Sequence, residues 1–173
     1  MRIETRGWGP LDVDERDVVH FPEGLLGFEE LHRFVLVDAE EFRPFVWFLS
    51  IENPEVGFAV AEPHYFSAGP YDISLSPGDE SHLDLAEGDS IAMFVVVSIA
   101  DHGREITGNL KGPIVFNTRN RLAKQLVVYG SAYSVRHPIL GRRVVPLHTA
   151  VSGAPAKTDV AAGPKGISAF LIE

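Results

Sequence analysis

Short apolar runs, rich in branched and aromatic side chains, recur along the first 130 residues and are separated by Gly, Pro, Asn or Asp. They lie at residues 34–37, 45–51, 57–61, 91–100, 113–116 and 125–129. Runs of this length and composition favour strands over helices. Because the connections between them are short, the pattern predicts a mostly β domain, built as an antiparallel barrel or sandwich.

Two runs carry more specific information. Residues 71–76 alternate strictly between apolar and polar side chains, which predicts a strand with one buried face and one solvated face. Residues 91–98 are almost wholly apolar, so this run is expected to form a central strand that is covered on both faces.

One short helix is predicted near residues 77–86. Ser76 suits the N-cap, Pro77 fits the first helical position, and Asp79 completes a capping box. Gly88 is a plausible end point. A small apolar side is supplied by Leu83, Leu85 and Ala86.

The character of the chain changes after residue 140, which predicts two parts: a β domain at 1–145 and an appendage at 146–173. Residues 149–166 consist mainly of Ala, Gly, Pro, Ser and Thr, a composition typical of a linker. Residues 167–173 are apolar again. This last segment is expected either to be disordered or to dock on an exposed sheet edge, in its own molecule or in a neighbour.

Composition excludes several classes of function. The 173 residues include no cysteine, which excludes cysteine zinc fingers, thiol nucleophiles and disulfide scaffolds. A net charge of −9 argues against unaided binding to nucleic acid or to anionic membranes. No apolar run approaches the ~20 residues that span a bilayer, and the first residues lack the apolar core of a signal peptide. We therefore expect a cytoplasmic protein.

The acidic excess is unevenly distributed. All but four of the 24 acidic residues precede residue 101, whereas ten of the 15 basic residues follow residue 100. The densest acidic stretches are residues 12–17 and 79–89. Such stretches either keep the surface solvated or form a negative face that steers a basic protein partner into place.

Candidate catalytic groups do not form a recognisable constellation. Asp101 and His102 are adjacent in sequence, but neighbouring residues on a strand point to opposite faces. Ser98 and Ser131 lack the Gly-x-Ser-x-Gly context of a hydrolase nucleophile. Folding could still bring distant imidazoles to one metal ion, and the candidates for that are His20, His64, His82, His102 and His137.

Two segments differ from generic β sequence. The first is FPEGLLGFE at residues 21–29, in which Gly24 and Gly27 permit a tight turn. We expect Phe28 to fill the core, and Leu25 and Leu26 to be partly exposed. The second is TGNLKGPIVFN at residues 107–117, followed by RLAKQLV at 121–127. There Asn109 can bond to backbone groups, and Pro113 interrupts the strand before it resumes.

The order and spacing of these segments closely resemble the flagellar assembly factor family FliW over residues 2–140. The resemblance implies a small, mostly antiparallel, barrel-like (pseudo-barrel) β domain with a short capping helix. It implies a cytoplasmic binding protein rather than an enzyme, with no cofactor. Its implied partners are flagellin, held as by a chaperone, and the RNA-binding translational repressor CsrA, whose antagonism relieves repression of flagellin translation. No direct contact with nucleic acid or membrane is expected.

The residues expected to serve these roles fall into two sets. The first would contact partners and comprises Leu25, Leu26, Asp79, Glu80, Asp84, Glu87 and Asp89. The second would maintain the fold and comprises Phe21, Gly24, Gly27, Phe28, Asn109 and Pro113. Two alternatives stay open: a metal-dependent β-barrel enzyme or ligand binder that uses the histidines, and a structural module whose C-terminal segments pair between copies.

Overall fold

The computed structural model describes residues 1–6, 9–130 and 132–140. The strands in these ranges are β1 (Arg2–Thr5), β2 (Gly9–Asp12), β3 (Val18–His20), β4 (Arg33–Val37), β5 (Val46–Ser50), β6 (Gly57–Ala61), β7 (Ile91–Ala100), β8 (Glu105–Gly108), β9 (Ile114–Asn117), β10 (Ala123–Gln125) and β11 (His137–Pro138). The α-helix is α1 (Pro77–His82). Ser131 and the appendage at 146–173 lie outside the described residues, so the boundary near residue 145 stays a prediction.

One sheet dominates the described residues. Strands β3 to β7 pair in sequence order, β9 and β10 extend the sheet beyond β7, and β8 links β7 to β11. These ladders are antiparallel, and β1 pairs with β2 in a separate hairpin. The mostly β class is therefore confirmed. None of the helices in the described residues is long and apolar enough to cross a membrane.

The two ends of the sheet approach each other without closing into a barrel. A single parallel bridge joins His20 on β3 to Leu122, just before β10. The His20 amide donates to the Arg121 carbonyl across this seam at 2.9 Å. "Barrel-like" thus describes the curvature of the sheet, whereas a continuous ladder between its first and last strands is missing from the described residues.

Strand β7 is central, as its apolar sequence predicts. It pairs with β6 on one side, and with β9 and β8 along its first and second halves. Val95, Val97 and Ile99 are buried, while the side chains between them are only half-buried. The central position is thus confirmed, but one face of the strand is covered less fully than expected.

The core lies on both faces of the sheet because successive strand residues point in opposite directions. In β5, Trp47 and Leu49 belong to one buried cluster, whereas Phe48 belongs to the other. In the second cluster the ring of Phe21 meets those of Phe34 and Phe48 edge-to-face, with centroids 5.3 and 5.6 Å apart. A third, smaller cluster of Leu83, Val115 and Leu126 lies between the α1 region and the sheet.

Two of the predicted strands differ from the structure. Residues 71–76 do alternate between half-buried and exposed side chains, yet they lie outside the strands. Their side chains pack against the core, but within the described residues the backbone of 72–75 forms no hydrogen bonds. The strand expected at 125–129 is instead β10, which ends at Gln125. Periodicity predicts which side chains face inward, and it does not supply a hydrogen-bonding neighbour.

Helix α1 begins where the sequence predicts and ends earlier. The Ser76 hydroxyl and the Asp79 carboxylate form the reciprocal capping box, with Pro77 in the first turn. The helix ends at His82 rather than near residue 86 because Asp84 adopts a left-handed backbone with φ of 46°. Leu83 then turns inward and is fully buried.

Candidate functional site

The Gly-flanked segment, residues 21–29, forms a compact loop that we call the Leu26 loop. Its first side chain, Phe21, is fully buried, and the Phe28 amide donates to the Leu25 carbonyl at 2.7 Å. Gly24 and Gly27 have φ of 68° and 85°, in the left-handed region that favours glycine. At Gly24 a Cβ atom would lie 2.5 Å from Glu29 Cα, so the loop can close only with a residue that has no side chain at this position.

The two leucines of this loop have different environments. Leu26 is 56% exposed, as expected, whereas Leu25 is 2% exposed and belongs to the second core cluster. The expectation that Leu25 is available to a partner is therefore wrong. The bridge between Leu25 and Phe28 turns Leu25 inward. Phe28 is half-buried and packs edge-to-face on Phe58 at 5.0 Å, so it contributes to the core as expected.

The second segment forms a bulge at residues 109–113, between β8 and β9. Val97 faces Gly108 and Phe94 faces Ile114, so the chain between these two pairings must leave the ladder along β7. Asn109 organises the bulge: its amide donates to the Val96 carbonyl at 2.8 Å, and its Oδ1 accepts from the Lys111 amide at 3.1 Å. Pro113 ends the interruption, and β9 resumes one residue later.

Gln125 joins the Leu26 loop to this bulge. Its Oε1 accepts from the Leu26 amide at 3.0 Å, and its Nε2 donates to the Gly112 carbonyl, also at 3.0 Å. A Cβ on Gly112 would lie 2.8 Å from the Asn109 side-chain nitrogen, so the residues here pack closely. The sequence alone assigned no role to Gln125; its side-chain amide can link the two segments because it both donates and accepts.

Charged side chains connect the same region to α1. Lys124 Nζ lies 3.2 Å from an Asp79 oxygen and 3.4 Å from a Glu23 oxygen, and His82 Nε2 lies 3.2 Å from the other Glu23 oxygen. The hydrogen bond from the Ser76 hydroxyl, with help from Lys124, holds the pKa of Asp79 below its usual value. The structure thus brings the Leu26 loop and the acidic helix together, which sequence spacing alone did not indicate.

The predicted acidic residues divide into structural and available groups. Asp89 is held by Arg119 Nε at 2.8 Å and by Asn117 Nδ2 at 2.9 Å, and its side chain is only 8% exposed. Asp84 lies 3.4 Å from Arg119 and is largely exposed. Glu80 and Glu87 are exposed and form no ion pair within the described residues. Of the five predicted acidic residues, Glu80, Asp84 and Glu87 are therefore the exposed ones.

Comparison with known proteins gives this geometry a family context. The family model described as FliW protein matches residues 2–139.

The chain belongs to the FliW family.

Relatives described as flagellar assembly factor FliW agree with this assignment. The protein of Bdellovibrio bacteriovorus is 39% identical over 148 residues, covering 84% of each chain. That of Geobacter sulfurreducens is 36% identical over 159 residues, covering 92% of this chain and 95% of the relative. A crystal structure of the flagellar assembly factor FliW superposes with a TM-score of 0.74 at 30% identity, covering 83% of this chain and all of that one. The resemblance expected from the two motifs is confirmed.

The histidines do not build a metal site in the part of this FliW-family chain that the structure describes. Within residues 1–6, 9–130 and 132–140, no three His, Asp or Glu side chains lie close enough together to hold a metal ion. His82 instead contacts Glu23, and His64 lies 3.2 Å from Glu62 on an exposed turn. Nothing in the described geometry therefore favours the metal-dependent alternative.

Asp89 gives the FliW-family fold a pH dependence that can be measured. Its hydrogen bonds with Arg119, the Ala86 amide and Asn117 lower its pKa from the usual 3.8 to about 2. Below 3.8 the unfolded chain binds more protons than the folded one, so this contribution to stability is complete above 3.8 and is lost as the pH falls through 2. Between pH 3.8 and 2 the unfolding free energy of Asp89→Asn should therefore fall less steeply with decreasing pH than that of the wild type. Urea denaturation at a series of pH values measures this. Equal slopes in the wild type and in Asp89→Asn would contradict the assignment.

Proposed function

We propose that this FliW-family chain acts in the cytoplasm as a binding protein for newly made flagellin and as an antagonist of CsrA, so relieving repression of flagellin translation. The family match over residues 2–139 and the relatives named as flagellar assembly factors support the flagellar role. That flagellin and CsrA are the partners is the more specific part of the proposal, and the experiments below test it. We place the chain among binding proteins rather than enzymes because its relatives are named as assembly factors.

The observation that carries the proposal is the placement of Leu26. A leucine that is 56% exposed lies at the tip of a loop fixed by Gln125 and by two glycines with positive φ. Because the loop is already ordered, a partner that covers Leu26 loses little conformational entropy on binding. The exposed carboxylates of Glu80 and Glu87 lie on the neighbouring acidic segment. An apolar contact point with an acidic rim suits a protein partner.

The same acidic rim supports antagonism of an RNA-binding protein. A negative surface docked beside a basic RNA-binding surface repels RNA over a Debye length of ~8 Å without occupying the same contacts. Binding of the repressor and of RNA would then be coupled negatively, and the coupling must be reciprocal.

Titration calorimetry with purified partners tests the proposal. We expect flagellin to bind at about one to one, and CsrA to bind with an affinity that falls as salt increases. Absence of heat and of co-elution for both partners above ~10 μM, which corresponds to about −7 kcal/mol, would contradict the proposed function.

A substitution at Leu26 tests whether the loop makes the contact. Leu26→Ser should weaken binding of at least one partner by about 10- to 100-fold, because burying a leucine contributes about 1.5–3 kcal/mol. The melting temperature should stay the same, since the side chain is exposed in the free protein. Leu140→Ser removes a leucine that is 48% exposed elsewhere and serves as the matched control. Equal affinities for the two variants would place the contact outside the Leu26 loop.

A further inference from the structure

The chain that follows β10 presents an unpaired strand edge. Leu126 donates to the Pro113 carbonyl at 2.8 Å and Val128 donates to the Lys111 carbonyl at 2.9 Å, so alternate amides continue the pairing with the preceding bulge. Because amides in an extended chain point alternately to its two sides, those of Val127 and Tyr129 point away from the sheet. Neither residue forms a backbone hydrogen bond with any other described residue.

The side chains at this edge are also uncovered. Val127 is 47% exposed and Tyr129 is 85% exposed, whereas Leu126 between β10 and Val127 is buried in the third cluster. Leu26 lies beside the start of the edge, because its amide is bonded to the Gln125 side chain. Unpaired amides and apolar side chains thus occur together, and natural proteins usually protect such an edge by charge, proline or covering chain.

We propose that the edge formed by Val127 and Tyr129 binds an extended segment of a partner polypeptide by strand addition, a segment with apolar side chains at alternate positions and at least one flanking Lys or Arg. Strand addition satisfies the two outward amides, while alternate apolar side chains of the segment contact Val127 and Tyr129. This inference rests on the proposed role of the chain as a binding protein and adds the chemistry of what it binds.

Charge selects the kind of segment. Next to the edge, Lys124 is already shared between Glu23 and Asp79, so these three side chains together leave one negative charge. Glu80, on the same helix as Asp79, is exposed and forms no ion pair among the described residues. Lys111, whose carbonyl accepts from the Val128 amide, is the unpaired cation beside the edge in the described part of the chain. These five side chains together therefore sum to one negative charge. A basic flank on the incoming segment would therefore be attracted, and an acidic flank repelled.

A second copy of this chain is a poorer occupant. Edge-to-edge pairing of two copies would bring two sets of these carboxylates together, in a protein with a net charge of −9. Such like-charge juxtaposition disfavours association. The partner is thus expected to be a different, locally basic polypeptide.

The test uses the full chain and a synthetic heptapeptide that alternates valine and threonine between terminal lysines. Amide chemical shifts and hydrogen exchange are measured by NMR as the peptide is added. We expect the amides of Val127 and Tyr129 to become protected, while that of Glu55, in the exposed turn between β5 and β6, does not change. A peptide with glutamate in place of the terminal lysines, and one with N-methyl groups on alternate residues, should each bind at least 10-fold more weakly.

Val127→Pro is the matching change in the protein. It removes one outward amide that has no partner among the described residues, at an edge position where proline is tolerated, so the fold should be retained. We expect it to bind the lysine peptide at least 10-fold more weakly, with Leu140→Ser, at an exposed residue whose amide is bonded to the Tyr65 carbonyl, as the control. Should the proline variant fail to fold, the N-methylated peptide still decides the question on the wild-type protein.

The outcomes separate this inference from the proposed function. Unchanged exchange at Val127 and Tyr129, or equal binding of the methylated and unmethylated peptides, overturns strand addition. The same holds if flagellin or CsrA binds the wild type and Val127→Pro equally while the peptide does not bind. Failure of both flagellin and CsrA to bind the wild type overturns the proposed function, and the peptide experiment then still decides the edge.

Discussion

Replacement of Asn117 by alanine is expected to lower the free energy of unfolding by about 3 kcal/mol, because a fully buried side chain is removed together with all of its hydrogen bonds. Asn117 is fully buried at the end of β9. Its Nδ2 lies 3.2 Å from the Leu83 carbonyl, 3.3 Å from the Asp84 carbonyl and 2.9 Å from Asp89, and its Oδ1 accepts from the Arg119 amide at 2.9 Å. The side chain therefore holds the segment after α1 against the sheet.

Urea denaturation measures this loss. The dependence of the unfolding free energy on urea concentration should be the same in the variant and the wild type, so that a lower midpoint reports lower stability. The matched variant is Asn120→Ala, whose side chain donates to the same Leu83 carbonyl at 3.1 Å but is only partly buried. Water can replace that bond, so the loss should be about 1 kcal/mol or less. A loss at Asn117 no larger than at Asn120 would show that the buried network does not determine the position of the acidic segment.

Replacement of Gly24 by alanine is the second change with a large expected effect, a loss of about 3 kcal/mol or more. The left-handed backbone alone costs an alanine about 1–2 kcal/mol, and the added Cβ would also overlap the backbone of Glu29 at 2.5 Å. Since a backbone atom cannot rotate away as a side chain can, the Leu26 loop must open. Flagellin binding should then fall together with stability.

Gly27→Ala isolates the steric part of this prediction. Gly27 also has a positive φ, of 85°, but nothing lies within 4 Å of its added Cβ. The loss of unfolding free energy in Gly27→Ala should therefore be limited to the conformational cost of about 1–2 kcal/mol. The melting temperatures of Gly24→Ala and Gly27→Ala, and their affinities for flagellin by calorimetry, compare the two variants. Indistinguishable melting temperatures would mean that the contact between Gly24 and Glu29 does not constrain the loop.

The strands that form the sheet could be predicted because their side chains are buried on its faces, and this burial appears in the sequence as apolar runs. The apolar runs at 34–37, 57–61 and 91–100 correspond closely to β4, β6 and β7. Residues 71–76 have the same alternation, but the backbone of 72–75 has no hydrogen-bonding neighbour among the described residues. Whether an extended segment becomes a strand depends on the backbone beside it, which the local sequence does not specify.

Helix α1 shows the same division between local and distant causes. Its start follows from Ser76 and Asp79, which lie three positions apart and cap each other. Its end depends on the left-handed Asp84, whose carbonyl is bonded to Arg119 and Asn117 from another part of the chain. No pattern within residues 77–88 could have indicated those bonds.

The candidate site was predicted in its parts but not in its arrangement. Leu26 is exposed as the tight turn suggested, whereas Leu25 faces the core because of a bridge to Phe28. Two of the five acidic residues, Asp79 and Asp89, are neutralised by cations that are distant in sequence, Lys124 and Arg119. Charge counted along the sequence overstated the free negative surface, since folding places basic residues from the second half against acidic ones from the first.

The seam between β3 and β10 has one further consequence. Within the described residues, the backbone joins its two sides only at the bridge from His20 to Leu122. Side chains supply the remaining bonds: Gln125 accepts from the Leu26 amide, and Lys124 lies 3.4 Å from Glu23. The Leu26 loop continues from β3 and the edge at Val127 continues from β10, so the two proposed contact surfaces lie on the two sides of this seam. A partner that contacted both surfaces would add its own bonds across the one junction of the sheet that side chains, rather than a ladder, hold together.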